Sequence, residues 1–574
     1  MSVEAMPQPG LSLINYSFGA AGAQPGAEDG PSHLTKSSVT HGTCRHDYST
    51  TVQSELNKLG ICIEFIEAVP SHLKNLKKKA DCGLITRISR KSGIVKRKQC
   101  ENRIIAEQAV CHTGSRLNKY EITRLDNGVT TILIETKEQA KSRPPSWDDA
   151  VQGPYIPDGI KNMYHVESAV EFLAAAVCRA ILTQKKGDLP PLTLGGDHTQ
   201  GLGTAVGARV AAISKALLRG QIALSDRIPK EDYEKHLAPI SHWVEKIKGS
   251  DPNSTDEVVR SVERLSSTIA SLIDRTAFET IRNKALYKRA KEQLPNGTAA
   301  EISTRITELR EELMPTLEDT GILPLKNLKN FTSSIHEFWL DAHGDFNTER
   351  TSHSKNAHGM PLAAICGFSA LANTYDTTDF LELDPRNTHT FGTRDTDLEE
   401  RALMDEVGVN VYRMGRIQKI GNELPPDFRA EWSLREVFDR ELARIAVNSL
   451  KTTGHPAQFI LSYDGDGIRA TEFSATGTPV GRGGPGGQHV LNAIAGIAHN
   501  YTVLAHDISE FNPHLGIEEN LNLSPEEREK LQNIFPKSSN CPPANVTATR
   551  DLAIQMAKSI YSVRCAPPYK KSNS

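Results

Sequence analysis

The chain of 574 residues reads as an α/β protein: three α/β/α layers around a mostly parallel sheet of about eight strands, plus a helical-hairpin insertion. Three observations predict this. Short apolar runs alternate with helical patterns, which implies a parallel sheet covered on both faces. Several of those runs end in acidic or imidazole side chains, at the strand ends where open parallel sheets bind ligands. Two long stretches break the alternation and read as additions to the core.

The strands are predicted at Leu11–Phe18, Ile61–Ile66, Leu192–Leu194, Ile335–Leu340, Thr388–Thr393, Val409–Tyr412, Phe459–Tyr463 and Thr502–Ile508. Val166–Thr183 and Leu434–Leu450 read as covering helices. The core is expected at 1–70, 162–216 and 331–574, with additions at 71–161 and 217–330. The first addition begins with a basic run that reads as a solvated face. It also carries Tyr120–Leu125 and Val129–Glu135 around Asp126-Asn127-Gly128, a β-hairpin signal. It follows a strand and precedes a helix, so it should emerge at the ligand-bearing edge. In the second addition, Ser254 and Glu257 make a capping-box pattern. Val258, Val262, Leu265, Ile269 and Leu272 follow in coiled-coil-like steps, and Ile302, Ile306, Leu309 and Leu313 repeat them beyond Pro295-Asn296-Gly297. An antiparallel helical hairpin is expected, self-packed or offering a subunit contact, at the edge away from the ligand-bearing strand ends.

A net charge of −3 gives no reason to expect nucleic acid or a membrane as main partner. No stretch approaches the ~18 apolar residues of a membrane span, and the first residues lack the basic-then-apolar order of a signal peptide. Nine cysteines without CxxC spacing point to reduced thiols and a cytoplasmic location. Cys178 and Cys366 lie in apolar contexts that suit packing.

The chemistry concentrates in three places. Phe338-Trp339-Leu340 leads into Asp341-Ala342-His343-Gly344-Asp345-Phe346-Asn347. Strand spacing of two would aim Asp341, His343 and Asp345 at one point, where they require a cation. Phe459–Tyr463 leads into Asp464 and Asp466 at the same spacing, and Leu192–Leu194 leads into Gly195-Gly196-Asp197-His198. Four carboxylates at one apolar site cannot all stay ionised unaided. They match two divalent cations, and an oxygen-rich set without thiolates suits Mn²⁺. Two such ions ~3.5–4 Å apart share a water and lower its pKa toward neutrality.

The three motifs together resemble the signature of the arginase/agmatinase ureohydrolases, over roughly 12–70, 160–216 and 331–560. The resemblance implies two manganese ions per subunit. His198 and Asp345 would hold one, His343 and Asp466 the other, with Asp341 and Asp464 bridging. The following loop is similar to the arginase subgroup. By that likeness Asn347, Ser352, Ser354 and Asn356 would hold a substrate α-carboxylate, although arginases commonly carry Thr where Ser352 stands. His358 would shuttle protons, and Asp345 would pass one to the leaving amine. In Gly392-Thr393-Arg394-Asp395-Thr396-Asp397-Leu398-Glu399-Glu400, Asp397 and Glu400 would read the α-ammonium. Glu510 would face the guanidinium, and Thr478 would line the pocket. Arg469-Ala470 departs from the family's usual Asp-Pro, which bears on loop shape but not on the ligands. The glycines of 481–487 lack the Lys-Ser/Thr of a phosphate-binding P-loop.

The function implied is hydrolysis of L-arginine to L-ornithine and urea in a homo-oligomer, trimer or hexamer, with the helical addition as a candidate further contact. The alternatives are hydrolysis of another guanidino compound, such as agmatine or a guanidino acid, and a non-catalytic scaffold or arginine sensor. A deacetylase of related fold fits less well than these, given the arginine-head residues.

Overall fold

The computed structural model describes residues 10–15, 51–59, 61–67, 119–124, 130–135, 160, 163–194, 197–251, 255–317, 321–353, 355–371, 381–412, 432–476, 480, 483–511 and 546–562. Eight strands form one sheet: β1 Gly10–Asn15, β2 Cys62–Glu67, β5 Leu192–Leu194, β6 Ile335–Leu340, β7 Thr388–Phe391, β8 Asn410–Tyr412, β9 Gln458–Asp464 and β10 Thr502–Ser509. Their order is β2-β1-β5-β10-β9-β6-β7-β8, and every neighbouring pair is parallel. The sequence placed each of these strands. The main differences lie at the ends, because β7 stops at Phe391 and β9 extends to include Asp464. A separate antiparallel hairpin joins β3 Lys119–Arg124 to β4 Thr130–Glu135.

Alternation along each strand feeds two cores, because successive side chains point to opposite faces. Ile14, Trp339, Ile460 and Ala505 face one way, against α1 (Met163–Thr183) and α2 (Thr199–Leu218). Leu13, Phe338, Leu340, Phe459 and Leu461 face the other way. They meet α11 (Trp432–Thr453), α12 (Gly487–Asn500) and α13 (Val546–Ser562). Burying each such Phe, Leu or Ile contributes about 1.5–3 kcal/mol relative to exposure. The three-layer α/β/α reading therefore holds. Helix α2 is buried along nearly its whole length.

The second addition differs from expectation. It is a run of helices rather than one hairpin: α3 Lys230–Gly249, α4 Thr255–Ala270, α5 Arg275–Ile281, α6 Asn283–Gln293 and α7 Ala299–Leu317. The two apolar seams do not face each other. Val258, Val262, Leu265, Ile269 and Leu272 join the core beside α1 and α3. Ile302, Ile306 and Leu309 pack instead on Leu286 and Ala290 of α6. Heptad steps specify an apolar stripe but not its partner, and α1 competes successfully for the first one. The chain then enters α8 (Leu325–Thr332) and β6. Cys178 and Cys366 are fully buried, as packing residues should be.

Candidate metal centre and active site

The site is assembled at the carboxyl ends of five adjacent strands, β5-β10-β9-β6-β7. β6 ends at Leu340, so Asp341 to Asp345 lie in a turn and not on a continuing strand. Alternation by two is therefore not what makes these residues converge. Asp341 Oδ1 accepts the backbone N–H of His343 at 2.7 Å, which folds the turn back on itself. Asp345 takes a φ of 50°, a left-handed conformation unusual for a residue with a Cβ. Strain of this kind gathers at functional sites. Gly344 is required here, because a Cβ would meet the Glu400 carboxylate at 2.7 Å.

Two groups of carboxylate and imidazole result, and they share Asp341. In the first, His198 Nδ1 lies 2.8 Å from Asp341 Oδ2, 2.7 Å from Asp345 Oδ2 and 3.3 Å from Asp464 Oδ2. In the second, His343 Nδ1 lies 3.2 Å from Asp466 Oδ2 and 3.4 Å from Asp341 Oδ1. All six expected ligands thus meet in one place. The backbone of the third motif is drawn in as well: Asp464 Oδ1 accepts the Asp466 N–H at 2.8 Å, and Asp466 Oδ1 accepts that of Ala342 at 3.2 Å.

Electrostatics shows why this donor set fits divalent cations. Asp341, Asp345, Asp464 and Asp466 are all buried. Burial and the Asp341 charge push the Asp345 carboxyl up to about 7. Burial and the neighbouring Asp466 and Asp341 raise Asp464 well above the carboxylate range. Burial alone would lower the two imidazoles, but the surrounding carboxylates outweigh it, so His198 and His343 are both raised. Left to themselves these side chains must take up protons; divalent cations bound by the same oxygens and imidazoles remove that need.

A supporting shell holds His198, and three of its members carried no label in the sequence reading. Its ring stacks on Trp339 with centroids 4.0 Å apart, and Trp339 Nε1 donates to Asp341 Oδ2 at 3.1 Å. His198 Nε2 lies 2.9 Å from Ser462 Oγ, which donates to Asp507 Oδ1 at 2.7 Å. That chain turns the Nδ1 lone pair toward the carboxylates, an orienting device common behind metal-binding histidines. Ser462 was legible in principle, since it stands two residues before Asp464 on the same strand face. Arg394 was missed too. Its guanidinium donates to the carbonyls of Asp466 at 2.7 Å and of Gly467 and Ile468 at 3.2 Å, clamping the loop that bears Asp466.

Among the described residues, Asn347, Asp397 and Glu400 meet beside the cluster. Asn347 Nδ2 donates to Asp397 Oδ2 at 3.1 Å, so the proposed carboxylate and ammonium readers adjoin each other. Glu400 accepts from Phe346 N at 2.8 Å and from Asp397 N at 3.2 Å. Burial nevertheless raises its carboxyl to about 8, helped by the Asp345 charge. Ser352 and Asn356 are buried in the intervening loop, where Ser352 Oγ accepts the Lys355 N–H at 2.9 Å. His358 Nδ1 stands 3.6 Å from Glu510 Oε1. Burial would lower this imidazole, but Glu510 outweighs it and the net shift is upward. Glu510 has a φ of 64° and accepts the His198 N–H at 3.1 Å. Ser354 and Thr478 lie outside the described residues. Arg469 pairs with Glu472 at 3.3 Å and donates its N–H to Pro485, so it closes the neighbouring loop.

Comparison with known proteins finds a likeness over the same part of the chain. The sequence model of the arginase family matches residues 325–523. The arginase of Saccharomyces cerevisiae is 30% identical over 182 residues, 31% of this chain and 50% of that protein. The arginase of Brevibacillus brevis is 36% identical over 143 residues, 25% of this chain and 41% of that protein. The chain spans about half the length of the curated relatives it matches. The solved arginase of Bacillus caldovelox aligns over 96% of this chain and 98% of its own, with 16% identity and a TM-score of 0.43. The matched segment begins just before the Asp341 motif and runs past Glu510, so over that segment the chain is similar to the arginase family.

Proposed function

We propose that the chain hydrolyses L-arginine to L-ornithine and urea with two Mn²⁺ ions bound by His198, Asp341, His343, Asp345, Asp464 and Asp466. The observation that carries the reading is the pair of acid–imidazole groups sharing Asp341, with Asn347 and Asp397 in contact beside them. These residues would hold divalent cations, whose chemistry when bound would be to activate a water for attack near neutral pH on a resonance-stabilised guanidinium. Glu510 faces the guanidinium as an ionised carboxylate opposite a planar cation. Asn347, Ser352, Ser354 and Asn356 donate to the α-carboxylate, while Asp397 and Glu400 accept from the α-ammonium. By the arginase likeness, Thr478 would belong to the same pocket. The water oxygen bonds to the guanidinium carbon and the bond from that carbon to the side-chain nitrogen breaks. Asp345 would take the proton that the attacking water gives up and pass it to the leaving nitrogen, while His358 would exchange protons with solvent.

The test is urea release by the Mn²⁺-loaded chain from arginine, agmatine and a guanidino acid, beside Asp464→Asn. Turnover of arginine that Asp464→Asn lowers by roughly a hundredfold or more supports the reading. Preference for agmatine or the guanidino acid would move the substrate to another guanidino compound. No urea from any of them would leave a non-catalytic scaffold.

A further inference from the structure

Two short helices follow the proposed proton-transfer and head-group residues His358 and Asp397, and both are bonded at their far ends by one helix of the addition. Helix α9 (Pro361–Ile365) follows His358, and its first free N–H groups, those of Leu362 and Ala363, donate to the Asp345 carbonyl at 3.0 and 3.3 Å. Just beyond its other end, the Cys366 carbonyl accepts from Asn283 Nδ2 at 3.0 Å. Helix α10 (Leu398–Val407) starts after Asp397 and carries Glu400 in its first turn. Near its other end, Glu406 accepts from Tyr287 Oη at 2.6 Å and from Lys291 Nζ at 2.9 Å. Asn283, Tyr287 and Lys291 all belong to α6, at intervals of four, so they share one face. Asn283 N also donates to the buried Glu382 at 3.1 Å, and Arg310 of α7 holds Asp384 at 2.6 Å.

The same face reaches the site through aromatic rings. Tyr287 meets Phe368 edge-on at 6.0 Å, and Phe368 meets Phe346 at 5.9 Å. Phe346 stands between Asp345 and Asn347, and its N–H is the one Glu400 accepts. One tyrosine thus touches both routes, by its hydroxyl to α10 and by its ring to the Asn347 turn. By contrast, Asp464 and Asp466 hang from β9, and His198 from β5, elements held by the sheet and by α2.

We propose that Tyr287 is a positioning residue for the substrate's amino-acid head, and that the helical addition sets that part of the site from behind. The proposal rests on the arginine reading above. It requires head-group binding to respond to Tyr287 more strongly than metal binding or the chemical step does. A small displacement of a positioning group is enough, since ~1 Å of misplacement can cost as much as ~100-fold.

The experiment compares the full chain with Tyr287→Ala and Tyr287→Phe, Mn²⁺-loaded, by steady-state urea release and by hydrogen exchange on peptides covering 341–347, 397–407 and 199–218. Tyr287→Ala should raise KM for arginine about tenfold with kcat within about twofold. Tyr287→Phe keeps the ring route and should hold KM within about threefold. Exchange should quicken at 341–347 and 397–407 in Tyr287→Ala and stay unchanged at 199–218. An unaltered KM in folded Tyr287→Ala overturns the proposal. So does exchange that quickens equally in all three segments, which would mark a general loss of stability. If the wild type releases no urea from arginine, the arginine reading fails. The exchange comparison then still decides whether α6 positions the Asn347 turn.

Discussion

Two clusters of charge, one partly exposed and one buried, differ in how they are balanced. In the seam between the helical addition and the core, Glu382, Asp384 and Glu406 meet Arg282, Arg310, Arg386 and Lys291, with contacts of 2.6–2.9 Å. In the site, Asp341, Asp345, Asp464 and Asp466 crowd around His198 and His343, and several of these groups shift strongly as a result. The seam is balanced by its own side chains and serves to join two parts of the fold. The site carries an excess of negative charge that its own residues do not cancel. That difference separates a structural charge network from one built for cations.

The comparison breaks most visibly at Asp464. Asp464→Asn should remove most activity, yet in metal-free protein it should not lower the thermal midpoint, because it relieves like-charge repulsion at a group whose ionisation is disfavoured. A midpoint several degrees below wild type would mean that Asp464 stabilises the fold by itself. Sites that trade stability for function behave in the predicted way.

Asp384→Asn should do the reverse. Burial by itself would raise this carboxyl, but Arg310 and Arg386 outweigh burial and hold it below the usual carboxylate range. Removing the charge strands Arg310 and should cost about 3 kcal/mol, whereas Arg310→Met with Asp384→Leu should recover most of it. The pH dependence has a definite sign. A carboxyl lowered in the folded state contributes stability above its unfolded pKa of about 3.9, and this is lost as pH falls toward the lower folded value. The wild type should therefore loosen at the seam in acid, below about pH 4, and the paired apolar variant should lack that component. Denaturation curves at several pH values check both points.

Much of the site was legible because its ligands stand in short runs just after apolar strands. Asp341 to Asp345 and Asp464 to Asp466 are neighbours in sequence, so pattern and place coincide. What pattern could not supply was partnership across the chain. The seam from Val258 to Leu272 has the steps of a hairpin, yet it buries against α1 rather than the helix bearing Ile302. Tyr287 sits in a polar helix, Asn283–Gln293, with no motif around it, and its meaning comes only from Phe368 and Glu406 more than eighty residues away. Arg394 stood inside a quoted segment, but its bonds to three carbonyls of the Asp466 loop depend on how β7 and β9 flank β6. The expectation that the helical addition stands apart from the site also changes. Its α6 backs the Asn347 turn through two rings.

The central claim is that the acidic cluster is completed by two divalent cations. Calorimetric titration of Mn²⁺ into the metal-free full chain, paired with thermal denaturation, tests it most directly. The account predicts two ions per chain, and a gain of about 2.7 kcal/mol or more in stability at a hundredfold excess over Kd. Fewer than two ions bound, or a thermal midpoint that saturating Mn²⁺ leaves unmoved, would contradict it.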